Sequence, residues 1–501
     1  MSVDDLAVEL VEEILDLYLA NPRDPKSRPP LYDFDRMQAV MRLTRVSKRI
    51  RDIVLSRPAF WRTIYLHAPM PIVKLFFERA LENNIDLFFD QLYPCCGQIC
   101  GKGSTAEQIA ERASFINSNM SAFQHLTLLP VQLADINFGK ILSVALQTPA
   151  PNLESIDIRF SKEMQCPNLF AQNAPKLRTA HLFTDEDWNL EAFKSLTTVS
   201  VYIDHGKCQE MLSTLESMER LESITLVRRI TSRDDPFWPL ERPVTPVIFA
   251  SCRRFEVQRM ESQWVLTLLS AIQLPALKEL EVHETVNLAI VDGEIKLPWE
   301  LIPSFSRALT SLHNPHHLPT SISIAIDYRH MKIIVNGTPS ISYESRWFWK
   351  ATDGIGNSLL LDTVSDLCAS LSTIPNVAVR ELSILYDMSY VRGVTNPHDR
   401  IALSGMDATV LLRRIMKAYP VITSLTLRAD VDDAINLFCA EPHLLSSHPR
   451  LEISTLIDPE SPRATDLFHN LLHLEALTGC EIDVLRRHSS APVGRQFPEF
   501  H

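Results

Sequence analysis

Glycine is scarce, with 13 residues in a chain of 501. Phosphate-cradling loops and dinucleotide folds need glycine at several fixed positions, so nucleotide-dependent chemistry starts at a disadvantage. Long apolar runs are lacking as well. No stretch approaches the ~18 uninterrupted apolar residues that cross a bilayer. The opening Met1-Ser2-Val3-Asp4-Asp5 is acidic where a secretory leader would be basic. An excess of positive charge is also missing: 49 Lys and Arg face 61 Asp and Glu, a formal charge of −12. That balance argues against a protein that coats nucleic acid, whose affinity comes from many cations. The nine cysteines are an odd number scattered through the chain, so reduced thiols are expected rather than a disulfide framework. With 46% hydrophobic and 22% charged residues, the chain has material for a large core. Its length predicts more than one domain.

One phrase recurs between about residues 123 and 486: Leu-x-x-Leu-x-Leu, often introduced by Pro or a basic residue. Its clearest copies are Leu153…Ile156…Ile158 and Leu177…Ala180…Leu182. The same spacing returns at Leu196…Val199…Val201, Leu221…Ile224…Leu226 and Leu277…Leu280…Val282. Val379…Leu382…Ile384 and Ile422…Leu425…Leu427 follow, with a degraded copy at Leu451…Leu456. Segments 208–218, 264–272, 364–371 and 407–418 carry apolar residues at helical spacing shortly before such a phrase. Strands joined through helices run parallel with right-handed crossovers. The expected fold is therefore α/β, an irregular leucine-rich-repeat-like αβ solenoid of parallel strands behind a small helical N-terminal unit. A closed barrel of eight αβ units is the competing architecture; uneven periods and the lack of Gly-rich loops after the strands weigh against it. Near 287–357 the phrase gives way to Ile322-Ser323-Ile324-Ala325-Ile326, Lys332–Val335 and Ser340–Tyr343, which alternate like antiparallel strands around Asn336-Gly337. The expected divisions are a helical unit at 1–66, a connecting helical region at 67–122, the repeats with their β insertion at 123–486, and a loose tail at 487–501.

The N-terminal unit is dense in helical signals. Leu6, Leu10, Ile14, Leu17 and Tyr18 form one apolar stripe of a helix whose first turn is acidic. The linker at 21–30 holds Pro22, Pro25, Pro29 and Pro30 and cannot continue it. A second helical segment at 36–55 aligns Leu43, Val46, Ile50 and Ile53, before Pro58, Phe60 and Trp61. So small a unit cannot bury all these residues within itself, so some of its apolar surface should meet another protein.

These residues carry a resemblance. Leu6-Ala7-Val8-Glu9-Leu10-Val11-Glu12-Glu13-Ile14-Leu15, then Val46-Ser47-Lys48-Arg49-Ile50-Arg51-Asp52, then Pro58-Ala59-Phe60-Trp61, resembles an F-box. With the repeats downstream, the arrangement is similar to the F-box proteins with leucine-rich-repeat-like C-terminal domains that abound in fungi. The resemblance implies docking to Skp1, and through it to a cullin, by Leu6, Ala7, Glu9, Leu10 and Ile14 together with Val46, Ser47, Lys48, Ile50 and Trp61. It also implies a protein target held on the repeats for ubiquitination, in the cytoplasm or the nucleus. The plainer alternative is a non-catalytic repeat scaffold outside any ubiquitin ligase, with these residues packing as a cap.

Strand alternation names a target-facing column: Ser155, Asp157 and Arg159, then Thr179 and His181, Ser200 and Tyr202, Thr225, and Glu281 and His283. Asp157, Arg159, His181, Tyr202, Glu281 and His283 are its principal candidates. No catalytic residue, metal ligand or cofactor is expected, nor a nucleic-acid or membrane partner. Arg42, Arg45, Lys48, Arg49 and Arg51 share a helix with apolar residues and read as a solvated face. Gly97-Gln98-Ile99-Cys100-Gly101-Lys102-Gly103 is one residue short of a phosphate loop and has Gly where Ser or Thr must reach Mg²⁺. Cys95, Cys96 and Cys100 have no second pair at zinc-finger spacing. His283-Glu284-Thr285-Val286-Asn287 has Asn where a zinc-protease helix needs its second His. His313, His316 and His317 lie in a Pro-containing loop, and no Gly-x-Ser-x-Gly elbow occurs. The sequons at Asn119 and Asn336 count only in a secreted chain.

Overall fold

A computed structural model of the chain describes residues 6–20, 34–80, 84–90, 106–129, 142–159, 168–183, 189–203, 208–228, 246–287, 289–291, 294–296, 320–326, 330–337, 339–348, 379–386, 405–419, 422–428, 432–445, 450–455 and 462–486. The protein is α/β and divides into two compact units. One comprises residues 1–202 and 214–221, the other 203–213 and 222–501. No helix among the described residues is long and apolar enough to cross a membrane. The segments at 95–100, 313–317, 364–371 and 487–501 lie outside the described residues.

The first unit opens with helices α1 (Val8–Ala20), α2 (Phe34–Leu43) and α3 (Lys48–Ser56). The Ser47 hydroxyl accepts a hydrogen bond from the Ile50 amide at 3.2 Å and so caps α3. Six parallel strands follow in chain order: β1 (Thr63–Tyr65), β2 (Ile85–Asp90), β3 (Phe123–Leu129), β4 (Ser155–Arg159), β5 (Thr179–Phe183) and β6 (Thr198–Ile203). Helices α4 (Met70–Arg79) and α5 (Ala106–Asn119) carry the chain between the first three. The region 67–122 therefore contributes a strand as well as helices.

The recurring phrase explains the later rungs. Its second and third apolar positions pair across the ladder, Ile156 with Ala180 and Val199, and Ile158 with Leu182 and Val201, all buried on one face. Its first leucine sits just before each strand; Leu153, Leu177 and Leu196 are fully buried. The residue after it then joins the rung before: the Arg178 amide donates to the Glu154 carbonyl at 2.9 Å, and Thr197 to Arg178 at 2.8 Å. Each copy is thus one buried anchor, one turn bonded to its predecessor and one strand.

Helix α6 (Cys208–Glu216) precedes β7 (Ser223–Arg228). The second unit adds β8 (Val247–Ile248), β9 (Arg254–Met260), α7 (Ser262–Ala271), β10 (Ile272–Gln273) and β11 (Glu279–Asn287), then the hairpin β12 (Ala289–Val291) and β13 (Glu294–Lys296). After β14 (Ser321–Ile326), β15 (His330–Asn336) and β16 (Ser340–Phe348) come β17 (Glu381–Tyr386), α8 (Gly405–Ala418) and β18 (Ser424–Arg428). Helix α9 (Asp432–Ala440), β19 (Arg450–Thr455), α10 (Pro462–Thr478) and β20 (Glu481–Arg486) complete it. The main sheet of this unit runs β7-β9-β11-β16-β15-β14-β17-β18-β19-β20. Its strands are parallel except β15, which is antiparallel to both β14 and β16. The alternating segments 322–326, 332–335 and 340–343 thus form the expected antiparallel meander. It is built into the parallel ladder in reverse chain order rather than looped out of it. The core row stays unbroken: Leu280 pairs with Ile341, Val335 with Ile341 and Ile322, and Ile322 with Leu382. Among the described residues the end strands β1 and β20 each pair with one neighbour only, β2 and β19, so neither sheet closes into a barrel.

Candidate functional site

Two surfaces warrant a functional reading, and the first is on α1. Val11 and Leu15 are buried, as are Met37 and Val40 on α2 and Ile53 and Val54 on α3, the two helices that α1 packs against. Charged clamps hold the helix there: Arg57 reaches Glu12 at 3.3 Å and Asp16 at 2.9 Å, Arg36 donates to the Leu19 carbonyl at 3.0 Å, and Arg49 donates to the Leu6 carbonyl. The stripe of Leu10, Ile14, Leu17 and Tyr18 faces the other way and is 50–64% exposed. Val46, in the turn before α3, is exposed to a similar degree. Apolar surface of this kind costs free energy in water unless something covers it.

The other residues named for docking fall into three groups. Ala7, Glu9 and Lys48 are exposed, while Leu6, Ser47 and Ile50 are half-buried. Trp61 is 1% exposed. Its indole N–H donates to the Val54 carbonyl at 2.7 Å and its ring lies edge-on to Phe76 at 4.8 Å. Trp61 is therefore a pillar beneath α3 and presents no surface of its own. The segment 36–55 is two helices rather than one, so the basic run is divided: Arg42 lies in α2, Arg45 in the turn, and Lys48, Arg49 and Arg51 in α3, with all but Arg49 exposed.

The second surface is the face of the strands opposite the core. In the first unit Asp157, His181 and Ser200 share one rung across β4, β5 and β6. His181 Nδ1 lies 2.7 Å from Ser200 Oγ. Burial holds the His181 imidazole below its ordinary pKa, helped by Arg159 and opposed by Asp157. The trio has the composition of a catalytic triad but not its linkage. Both Asp157 oxygens bond Arg159, at 3.1 Å each, and Ser200 is buried. A triad needs the carboxylate on the histidine and the hydroxyl open to substrate. One rung further, Arg159 lies over the Phe183 ring at 5.2 Å, and Phe183 meets Tyr202 edge-on at 5.3 Å. The result is a half-exposed cation–aromatic row suited to contact rather than chemistry.

In the second unit the strand face opposite that unit's own core carries Thr225, Arg254, Glu256, Gln258, Glu281, His283 and Glu344. His283 Nε2 lies 3.7 Å from Glu256 Oε1 and 3.8 Å from Glu281 Oε2, and its Nδ1 lies 3.4 Å from Glu344 Oε2. Burial pulls the His283 pKa down, but the Glu344 hydrogen bond and the charges of Glu344, Glu256 and Glu281 outweigh it and hold the ring above its ordinary value. Directly behind, Glu284 points into the core, where the Tyr343 hydroxyl donates to it. Burial pushes its carboxyl up to about 7. A register shift between β9 and β11 at His283/Glu284, with Arg259 at φ 57°, accompanies this placement. His283 and Glu284 thus stand on opposite faces of a strand, not on a zinc-protease helix.

The strand-face residues inferred from alternation occupy that face, Glu281 and His283 adjacent to each other. Glu256 and Glu344 escaped sequence reasoning. Phe255…Val257 does carry the second and third apolar positions of the phrase, but Cys252 replaces its leading leucine. Glu344 belongs to the meander, where the phrase is absent. The described cysteines, Cys208, Cys252, Cys439 and Cys480, are free thiols. Comparison with known protein families finds no match to this chain, and comparison with curated proteins finds no relative.

Proposed function

We propose that the chain is the target-recognition adaptor of a Skp1–cullin–F-box type ubiquitin ligase. Its N-terminal helices dock on a Skp1-like subunit, and its parallel strands form an irregular leucine-rich-repeat-like array that holds a protein target. The observation that carries this reading is the α1 stripe: Leu10, Ile14, Leu17 and Tyr18 stand out in water while Val11 and Leu15 anchor the helix. Leu10 and Ile14 are positions at which the F-box resemblance places adaptor contacts. Helix-in-groove docking uses such anchors, with affinity concentrated in a few apolar side chains and neighbouring charges giving complementarity. The chain itself makes and breaks no bond. It raises the effective concentration of a target near the charged conjugating enzyme, which belongs in the cytoplasm or nucleus.

The test is co-purification of the full chain with Skp1, wild type against a Leu10→Asp, Ile14→Asp double variant. Loss of at least about tenfold in captured Skp1, with an unchanged melting curve, is the expected result. Equal capture by both proteins, or none by either, leaves the alternative, a repeat scaffold outside any ligase.

A further inference from the structure

The acid–histidine group on the second unit has a geometry that recognition of a protein target does not call for. Glu256 on β9 and Glu281 and His283 on β11 bring three ligand atoms within 4.8 Å of one another. In a tetrahedral zinc site, bonds of about 2.0–2.1 Å place neighbouring donors about 3.3 Å apart. The observed separations of His283 Nε2 from the two carboxylates, 3.7 and 3.8 Å, need to close by a few tenths of an ångström, and the two carboxylate oxygens, within 4.8 Å of each other, by at most about 1.5 Å.

The remaining polar atoms of these side chains are held elsewhere, each by a different neighbour. Arg254 binds Oε1 of Glu281 at 3.2 Å, leaving Oε2 toward the centre. Thr225 donates to Oε2 of Glu256 at 3.2 Å, leaving Oε1 toward the centre, where Gln258 occupies one lone pair at 2.6 Å. Glu344, 4% exposed, takes Nδ1 of His283. A carboxylate on the far nitrogen of a histidine fixes the tautomer that leaves Nε2 free to bind a metal, the usual outer shell of such sites. Among the described residues, the cations facing the group include Arg254 and, opposite Glu344 in the ladder, Lys332.

We infer that Glu256 Oε1, Glu281 Oε2 and His283 Nε2 form a three-donor site for a divalent first-row metal ion of the zinc class. The imidazole nitrogen favours such an ion over Mg²⁺ or Ca²⁺, which prefer all-oxygen shells. Glu281 and His283 are half-exposed, so a fourth position stays open to water or to a donor from a bound protein. The inference is independent of Skp1 docking.

The test is isothermal titration of the chelator-stripped full chain with Zn²⁺, the wild type beside His283→Ala, Glu281→Gln and Glu344→Gln. Binding by cysteine thiols is common to all four proteins and cancels in the comparison. The expected result is one wild-type equivalent that His283→Ala and Glu281→Gln lose or bind more than about tenfold more weakly. Glu344→Gln is expected to keep the stoichiometry with about 10- to 100-fold lower affinity. Glu281→Gln can still accept a hydrogen bond from Arg254, so it reports on the site even if His283→Ala misfolds. A wild-type isotherm indistinguishable from both His283→Ala and Glu281→Gln overturns the inference, as does a wild type with no equivalent beyond its thiols.

Discussion

Glu284 makes the protein's stability depend on pH in a direction opposite to that of most acids. Its carboxyl is fully buried, and its pKa is pushed from the ordinary 4.5 to about 7 by burial, against the donated Tyr343 hydrogen bond. A folded-state pKa above the unfolded one means that the native state holds the proton more tightly between those two values. Stability from this group is therefore complete below about pH 4.5 and is lost as pH rises through about 7. At about 1.4 kcal/mol for each pH unit, the loss is about 3 kcal/mol by pH 8. Glu284→Gln removes the titration and keeps an acceptor for Tyr343. Its buried amide N–H groups cost about 1–3 kcal/mol if left unpaired, but that cost is the same at every pH. The measurement is denaturant unfolding at pH 4.5, 6 and 8 with chelator present, compared as the difference between the two proteins. Wild type is expected to lose about 3 kcal/mol more than the variant between the lowest and highest pH. Parallel stability curves for the two proteins refute the reasoning and mean that water or a local opening already reaches the carboxyl.

Trp61→Ala is expected to lower folding stability by about 3–5 kcal/mol, because it empties a buried site and strands the Val54 carbonyl; the thermal melt of the variant checks this. The thiols of Cys208 and Cys252 are pushed up to about 12 by burial, so mass spectrometry after brief alkylation at pH 8 should find both unmodified in the native protein and labelled after denaturation.

The architecture was legible wherever periodicity and burial coincide. Leu153, Ile156 and Ile158 announce a strand because a parallel rung buries alternate residues and the turn before it buries one more. The degraded copy is a strand in another register: Leu451 and Ile453 pair with Leu425 and Leu427, so Leu451 holds the second position of the phrase rather than the first, and Leu456 lies outside the described residues. Less legible were strands that depart from the phrase. Ile85–Asp90 is a strand whose Leu87 and Phe89 are buried without any leading leucine, and β9 begins after a cysteine. The stripe on α1 was readable as apolar, but only packing shows that its neighbours Val11 and Leu15 are the anchors. Trp61 illustrates the opposite limit, since sequence places it beside a docking strip and hydrogen bonding draws it inside. The acid–histidine group was half visible. Glu281 and His283 share a strand two residues apart, whereas Glu256 and Glu344 join them only through ladder register.

The meander between β11 and β17 has a consequence of parity. Three strands, the middle one reversed, stand between two parallel halves of the ladder, so chain direction is flipped twice and restored. Gain or loss of a single hairpin-linked strand there would turn every rung from Glu381 onward upside down. Gain or loss of two would leave Leu280 and Leu382 in the same row. By hairpin-linked strands, this stretch of the sheet can lengthen or shorten only in even steps.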